Sequence, residues 1–326
     1  ALGCRINPRS IFARKNYFYP DLPKGFQISQ YEEPLAREGQ LSIHTSRGDR
    51  VIRVRRVHLE EDTGKLTHVD AASLVDLNRA GVPLLEIVSE PDLRSPEEAR
   101  VYAETLRSIL RYLNVNSGDM EKGVMRIEPN VSVRPADTVA FGVRTEIKNL
   151  NSFRALERGI GYEVKRQINI LESGGQVRQE TVGWDEDRQV TFVQRVKEGE
   201  QDYRYFPEPD LPPLVIDREW IDRIRAEMPE LPADKYIRFL QQYDLSAYDA
   251  RVLVSERDIA RYFEAVVAAS PAVSPKIGAN WITGDLFGLM NESGLDIKDV
   301  RVSPESLGGL LELVGDGTIN NTIAKS

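Results

Sequence analysis

Apolar and polar side chains alternate most clearly in MRIEPNVSVR, residues 125–134. Ile127, Val131 and Val133 take one side and Arg126, Glu128, Asn130, Ser132 and Arg134 the other. A period of two is that of an extended strand with one buried face. FGVRTEIKN repeats the pattern from 141 to 149, opposing Phe141, Val143, Thr145 and Ile147 to Arg144, Glu146 and Lys148. Two earlier segments, VIRVRRVHLEE and PLLEIV, predict further strands and carry Glu60 and Glu86.

The period becomes helical after Ser95. This residue reads as an N-cap, with Pro96 at the first helical position, Glu98 closing a capping box, and Tyr102, Leu106, Ile109, Leu110 and Leu113 as the buried stripe. A second helix is predicted after Ser152, with Phe153, Leu156, Ile160, Val164, Ile168 and Leu171 inward and a stop at Gly174 and Gly175. The proline-rich stretch 202–217, DYRYFPEPDLPPLVID, reads as a rigid loop without regular structure that closes a first domain. From 218 onward the pattern is helical throughout, with Ser246 and Asp249 as a capping pair and Gly294 as a C-cap. The expected organisation is an α+β domain over 1–217 followed by an all-α domain over 218–326.

Composition narrows the function. The chain has 43 Lys and Arg against 51 Asp and Glu, a formal net charge of -8, and its C-terminal third is the more acidic part. A protein that grips nucleic acid through phosphate neutralisation carries a basic domain, so any RNA contact here rests on local patches. The single Cys4 excludes an intramolecular disulfide and a cysteine zinc cluster, which fits a reducing cytoplasm. No apolar run approaches the roughly 18 residues that span a bilayer, and the opening ALGCRINPRS lacks the order of a signal peptide.

The charged strand faces supply the candidate chemistry. Glu60, Glu86, Glu128 and Glu146, with Arg126, Arg134, Arg144 and Lys148, describe either a magnesium–nucleotide site or a solvated sheet face with cross-strand ion pairs. Pattern alone favours the solvated face. Glu86 is the exception, because a carboxylate among Leu84, Leu85, Ile87 and Val88 is costly to bury without a partner or a metal. His58 shares a strand face with Glu60, but a lone histidine is more often a structural hydrogen-bonding residue than a ligand. EEDTGK, 60–65, lacks the glycine spacing of a phosphate loop. Tyr203, Arg204 and Tyr205 offer stacking surfaces, with packing as the default reading.

Longer strings go further. KNYFYPDLPKGFQISQYEEPL, HLEEDTGK, SLVDLNRAGVPLLEIVSEPD, TEIKNLNSF and DYRYFPEPDLPPL, with GANWITGDL and VSPESLGGLLELVGDGTI beyond them, together resemble the GatB family over nearly the whole chain. The resemblance implies a cradle-shaped, antiparallel-sheet α+β catalytic domain like the glutamine synthetase fold, then a helical domain and a small tail domain. It implies ATP and Mg²⁺, a GatA amidase partner that releases ammonia from glutamine, and a small GatC subunit. GatE relatives carry an inserted domain for which this sequence has no room.

The implied reaction is ATP-dependent activation and amidation of the side-chain carboxylate of Glu-tRNA(Gln) or Asp-tRNA(Asn). Residue by residue, the resemblance makes Glu60 and Glu86 metal ligands and Lys65 and Arg79 phosphate or substrate contacts. Glu128 stands where many members have Asp in an R-x-D-x-N pattern, and Glu146 lies in TEIKN; both are further metal candidates. Arg126, Asn130, Arg144 and Lys148 are candidate nucleotide contacts. A family strand with a Glu-x-His pair completing the metal site is expected before residue 1, and the tail domain after residue 326. A polypeptide lacking both is expected to be defective alone and to bind tRNA poorly. Two rivals remain: a ligase acting on a free amino acid, and a noncatalytic scaffold for an amidase and tRNA.

Overall fold

The computed structural model describes residues 1–69, 72–196 and 203–325. It is a mixed α and β chain that divides into two compact units, one formed by 1–105 with 119–227 and the other by 106–118 with 228–326. The helix Pro96–Tyr112 therefore contributes residues 96–105 to the first unit and 106–112 to the second.

The first unit holds a four-stranded antiparallel sheet in the order Arg5–Ile6, Ala36–Thr45, Gly48–Glu61, Pro83–Ser89. The strand Gly48–Glu61 alternates as its sequence predicts, burying Ile52 and Val54, and then changes phase. The pairing with Pro83–Ser89 shifts by one residue between Val54 and Arg56. Beyond that irregularity Val57, not an even-numbered residue, packs on Val54 and Ala36 with Ile87 against them. An extra residue in one strand turns every later side chain to the opposite face.

A second sheet joins Asn130–Val131, Thr145–Lys148, Glu180–Asp185 and Val190–Val196. It corrects the all-antiparallel expectation, since Thr145–Lys148 runs parallel to Glu180–Asp185. The helix Phe153–Glu172 makes the crossover that a parallel pair requires. Both predicted strands here are shorter than their patterns. The 125–134 strand reduces to Asn130–Val131, because Pro129 and Pro135 have no N–H to give a ladder. In the 141–149 strand only Thr145 and Ile147 are buried, while Phe141 and Val143 are exposed. Val131, Ile147, Leu156, Ile160, Val182 and Trp184 form the core beneath.

The helices start where their caps predict. Ser95 Oγ accepts from the Glu98 N–H and Ser152 Oγ from the Ala155 N–H. The Glu98 carboxylate, however, reaches the Arg94 N–H rather than that of Ser95. The buried stripes match the expected ones in part, with Leu106 and Ile109 of the first helix and Leu156 and Ile160 of the second buried as predicted. Ala99, Ala103 and Tyr112 are buried in the first helix, and Ile168 and Leu171 of the second are exposed. Glu163 and Gln167 take the inner face instead, because Gln167 donates to Val131 O and accepts from the Val133 N–H, while Arg166 neutralises Glu163 at 2.8 Å.

The proline-rich stretch is not without regular structure. Phe206–Pro207 pairs with Ala13–Asn16, which pairs with Phe26–Ser29, and Leu214–Val215 pairs with Arg9–Ser10. Arg14 fixes this segment through a fork to the buried Glu208 at 2.6 and 2.9 Å. Asp202 lies outside the described residues. The second unit is helical around Phe239, Leu253, Phe263, Ile282 and Leu311, with Ser246 capping at Asp249 and Gly294 ending its helix at φ 63°.

Candidate active site

The phase change in Gly48–Glu61 determines what the site contains. His58 sits directly across from Glu86, and Glu60 lies two residues further along the same strand, so all three share one face. His58 Nε2 is 3.1 Å from Glu60 Oε1 and 3.6 Å from Glu86 Oε2. The imidazole and the Glu60 carboxylate are almost completely buried, whereas the Glu86 side chain is 45% exposed and forms the open side. One ligand atom from each of the three falls within 4.8 Å of the others. Donors around one divalent cation at about 2.0 to 2.6 Å are separated by no more than about 5 Å, so the group has the dimensions of a cation site.

The surrounding side chains hold Glu60 in place. Ser29 Oγ donates to Oε1 at 2.6 Å and Gln27 Nε2 to Oε2 at 3.2 Å, and Tyr17 in turn donates to Gln27 Oε1 at 3.3 Å. Both donors come from Phe26–Ser29, so this small sheet supplies the hydrogen bonds that hold the Glu60 carboxylate. Burial pushes the Glu60 carboxyl up, but the hydrogen bond from His58, the charge of Lys15 and the Ser29 hydroxyl outweigh it and leave it below the ordinary value. Glu86 moves the other way. Burial and the neighbouring Glu60 charge push it up, against the attraction of His58, Lys15 and Arg56. Two neighbouring carboxylates with opposed shifts are a pair that a positive ligand would stabilise.

Aromatic rings wall the same region. Tyr31 and Tyr205 stack with centroids 4.4 Å apart, Tyr203 meets both Tyr17 and Tyr205 edge-on at 6.0 Å, and the Lys15 ammonium lies 5.0 Å from the Tyr203 ring. Tyr17 and Tyr205 are both raised by burial and then by nearby carboxylates, so they stay neutral. The Asn16 side chain ties this segment down through the Tyr203 and Arg204 carbonyls.

A second polar centre lies just beyond the strand. Asp62 is buried and binds Arg126 Nη2 at 2.7 Å and Arg79 Nη2 at 3.2 Å. In the other sheet Lys148 Nζ lies 3.2 Å from Glu128 and 3.9 Å from Glu146, and Glu146 also accepts from Thr181. Glu128 and Glu146 are thus neutralised by a lysine, and the three-residue cation group does not include them. Asn130 pairs in register with Glu146, Arg144 is exposed, and Lys65 opens an exposed hairpin opposite Asp76.

The structure brings Glu60 and Glu86 together and adds His58 to them, whose i, i+2 relation to Glu60 was the available signal. Lys15, Gln27 and Ser29 carried no local signal, because they arrive from another sheet. The donor set of two carboxylates and one imidazole suits a divalent cation, Mg²⁺ with water in its remaining positions or, through the imidazole, Mn²⁺.

A mixed α and β chain that brings two carboxylates and an imidazole within reach of one another has a donor set that fits a divalent cation. The comparisons with known proteins make this specific. The family description "GatB/GatE catalytic domain" matches residues 1–222 and "GatB domain" matches 261–326. The B subunit of an aspartyl/glutamyl-tRNA(Asn/Gln) amidotransferase from Moorella thermoacetica is 56% identical over all of this chain and 69% of its own length. Proteins of the same name from Pelodictyon phaeoclathratiforme and a Roseiflexus species are 51% and 53% identical, with all of this chain and 68% of each relative covered. The chain belongs to the GatB/GatE family.

Proposed function

We propose that this chain is the activating subunit of a tRNA-dependent amidotransferase, amidating the side-chain carboxylate of Glu-tRNA(Gln), Asp-tRNA(Asn) or both in the cytoplasm. The observation that carries the reading is the convergence of His58, Glu60 and Glu86 on one sheet face beside positively charged side chains. A glutamine synthetase-like cradle, with domains near 1–217 and 218–326, is the architecture that fits it.

A carboxylate is a poor electrophile, so ammonia displaces nothing from it until a leaving group is installed. Transfer of the γ-phosphoryl of ATP to a carboxylate oxygen gives an acyl phosphate and ADP. Attack by ammonia on the acyl carbon then breaks the carbon–oxygen bond and yields the amide, and the proton lost from nitrogen leaves on the inorganic phosphate. A divalent cation held by His58, Glu60 and Glu86 would supply charge stabilisation for the phosphoryl oxygens.

The chain's own residues would divide the remaining work. Glu60, held by Ser29 and Gln27, and Glu86 and His58 would bind the cation. Arg79 and Arg126 would offer guanidinium donors to the phosphates, and Lys15 would add positive charge near the reacting carboxylate. The rings of Tyr17, Tyr203 and Tyr205 would keep water from the acyl phosphate. Lys65, Asn130, Arg144, Lys148, Glu128 and Glu146 are outer candidates for nucleotide or metal contact. Ammonia would come from glutamine through a GatA-type amidase partner with a GatC-type small subunit.

The test is amidation by the assembled complex given ATP, glutamine and either charged tRNA or free glutamate. Amide formed only on the charged tRNA, with loss of ATP, is the expected result. Equal amidation of free glutamate would overturn the tRNA-dependent reading, and full activity of Glu86→Gln with the fold intact would reduce the chain to a scaffold.

A further inference from the structure

The cation group accounts for Glu60 and Glu86 but gives Asp62 no task, although its carboxylate is only 4% exposed. A buried carboxylate is expensive unless its partners are charged and well placed. Here it has three: Oδ1 accepts from Arg126 Nη2 at 2.7 Å and from the Thr63 N–H at 2.9 Å, and Oδ2 lies 3.2 Å from Arg79 Nη2. The arginines are not buried with it, since their side chains keep 42% and 48% of their exposure. One negative charge thus holds two half-exposed guanidiniums, of which Arg79 also donates to the Lys122 and Gly123 carbonyls, and the trio keeps a net positive charge.

The chain is also shaped around Arg79. The Gly123 carbonyl accepts from Nη2 at 2.7 Å, and Gly123 has φ +65° with the place of a Cβ only 2.8 Å from Arg79 Nη1. A side chain there would meet both the left-handed backbone and the guanidinium. Asp62 continues the strand that carries Glu60, its N–H still bonded to Val82 O at 2.7 Å. Two residues of strand put the Glu60 and Asp62 backbones about 7 Å apart, a length that a di- or triphosphate chain spans.

We infer that Asp62 is a positioning residue that holds Arg79 and Arg126 as a two-guanidinium clamp for the polyphosphate of the nucleotide, next to the cation site. This rests on the nucleotide role proposed above and assigns a task within it.

The experiment measures ATP binding with Mg²⁺, and Mn²⁺ binding by electron paramagnetic resonance, on the assembled complex carrying Asp62→Asn, Arg126→Gln or both. Each single variant is expected to weaken ATP about tenfold and raise KM for ATP with little change in kcat, as loss of a charge-assisted contact does. Mn²⁺ affinity should stay within about twofold, and the double variant should bind ATP no worse than about twofold below Arg126→Gln alone, because both changes break one device. Normal ATP affinity in a folded Asp62→Asn, or full additivity in the double variant, overturns the inference. If Asp62→Asn fails to fold, Arg79→Gln and Arg126→Gln decide: ATP binding by both at the wild-type level overturns it, and losses with Mn²⁺ binding intact support it. A wild-type complex that binds Mn²⁺ but no ATP would overturn the nucleotide reading itself, a different outcome from clamp variants that match a binding wild type.

Discussion

Each compact unit places two glutamates close together, and the two units treat them in opposite ways. In the helical unit Glu230 and Glu264 face Lys235 and Arg238. Lys235 Nζ lies 2.8 Å from Glu230 and 2.9 Å from Glu264, and Arg238 forks onto Glu230 at 2.7 Å on both arms while also binding Glu264. Two acids meet two bases, and Arg238 chiefly holds Glu230 down to about 2. In the sheet unit Glu60 and Glu86 face one imidazole, and Glu86 rises instead of falling. Acidic residues matched one for one within the fold act as structure, whereas Glu86 keeps a raised carboxyl beside Glu60 that a cation would relieve. The same contrast recurs at shorter range, between Glu60 and the doubly paired Asp62 two residues away.

The contrast predicts effects that differ in kind as well as size. Glu86→Gln should lower ATP-dependent amidation and Mn²⁺ affinity about 100-fold or more, since outer-sphere groups alone cost about 10 to 100-fold at metal sites. Its thermal midpoint should hold or rise, because a like charge beside Glu60 has gone. A variant that retains both cation binding and amidation would break the comparison at its first term.

Glu264→Ala should do the reverse, leaving Mn²⁺ binding alone while costing about 2 kcal/mol in urea unfolding, because Lys235 is then buried with half its partners. A loss below about 0.5 kcal/mol would mean that this network counts for no more than an exposed ion pair. Ser29→Ala should weaken Mn²⁺ binding about tenfold in a direct titration, since Glu60 loses its shortest hydrogen bond.

The smallest effect concerns acid. Glu230 is depressed in the folded state, so its contribution is complete above the usual carboxylate range of about 4.3 and is lost as pH falls towards 2. Unfolding midpoints followed from about pH 5 to about 2 should fall, and Arg238→Gln should flatten that part of the curve. A slope unchanged by the substitution would show that other groups carry it.

Much of this was legible in the sequence. Caps at Ser95, Ser152 and Ser246, the stop at Gly174 and the helical character beyond 218 follow from local chemistry, which acts within a few residues of its cause. Glu86 was legible for the same reason, because a charge inside LLEIV conflicts with its immediate neighbours. Patterns failed where a distant element competed for the surface. Ile168 and Leu171 lose the inner face to Glu163 and Gln167 because Val131 and Val133 need the hydrogen bonds that Gln167 supplies.

The sequence by itself determined the family, the mixed character of the fold, and the presence of Glu60 and Glu86 on two strands. Only the tertiary structure decided that they meet. Had Gly48–Glu61 and Pro83–Ser89 kept the register of Val54 with Ser89, Glu86 would lie across from Val57, on the face away from His58 and Glu60. One residue of slip between Val54 and Arg56 turns the imidazole and both carboxylates to the same side. Alternation along a strand records which residues share a face, and no strand records its register against another.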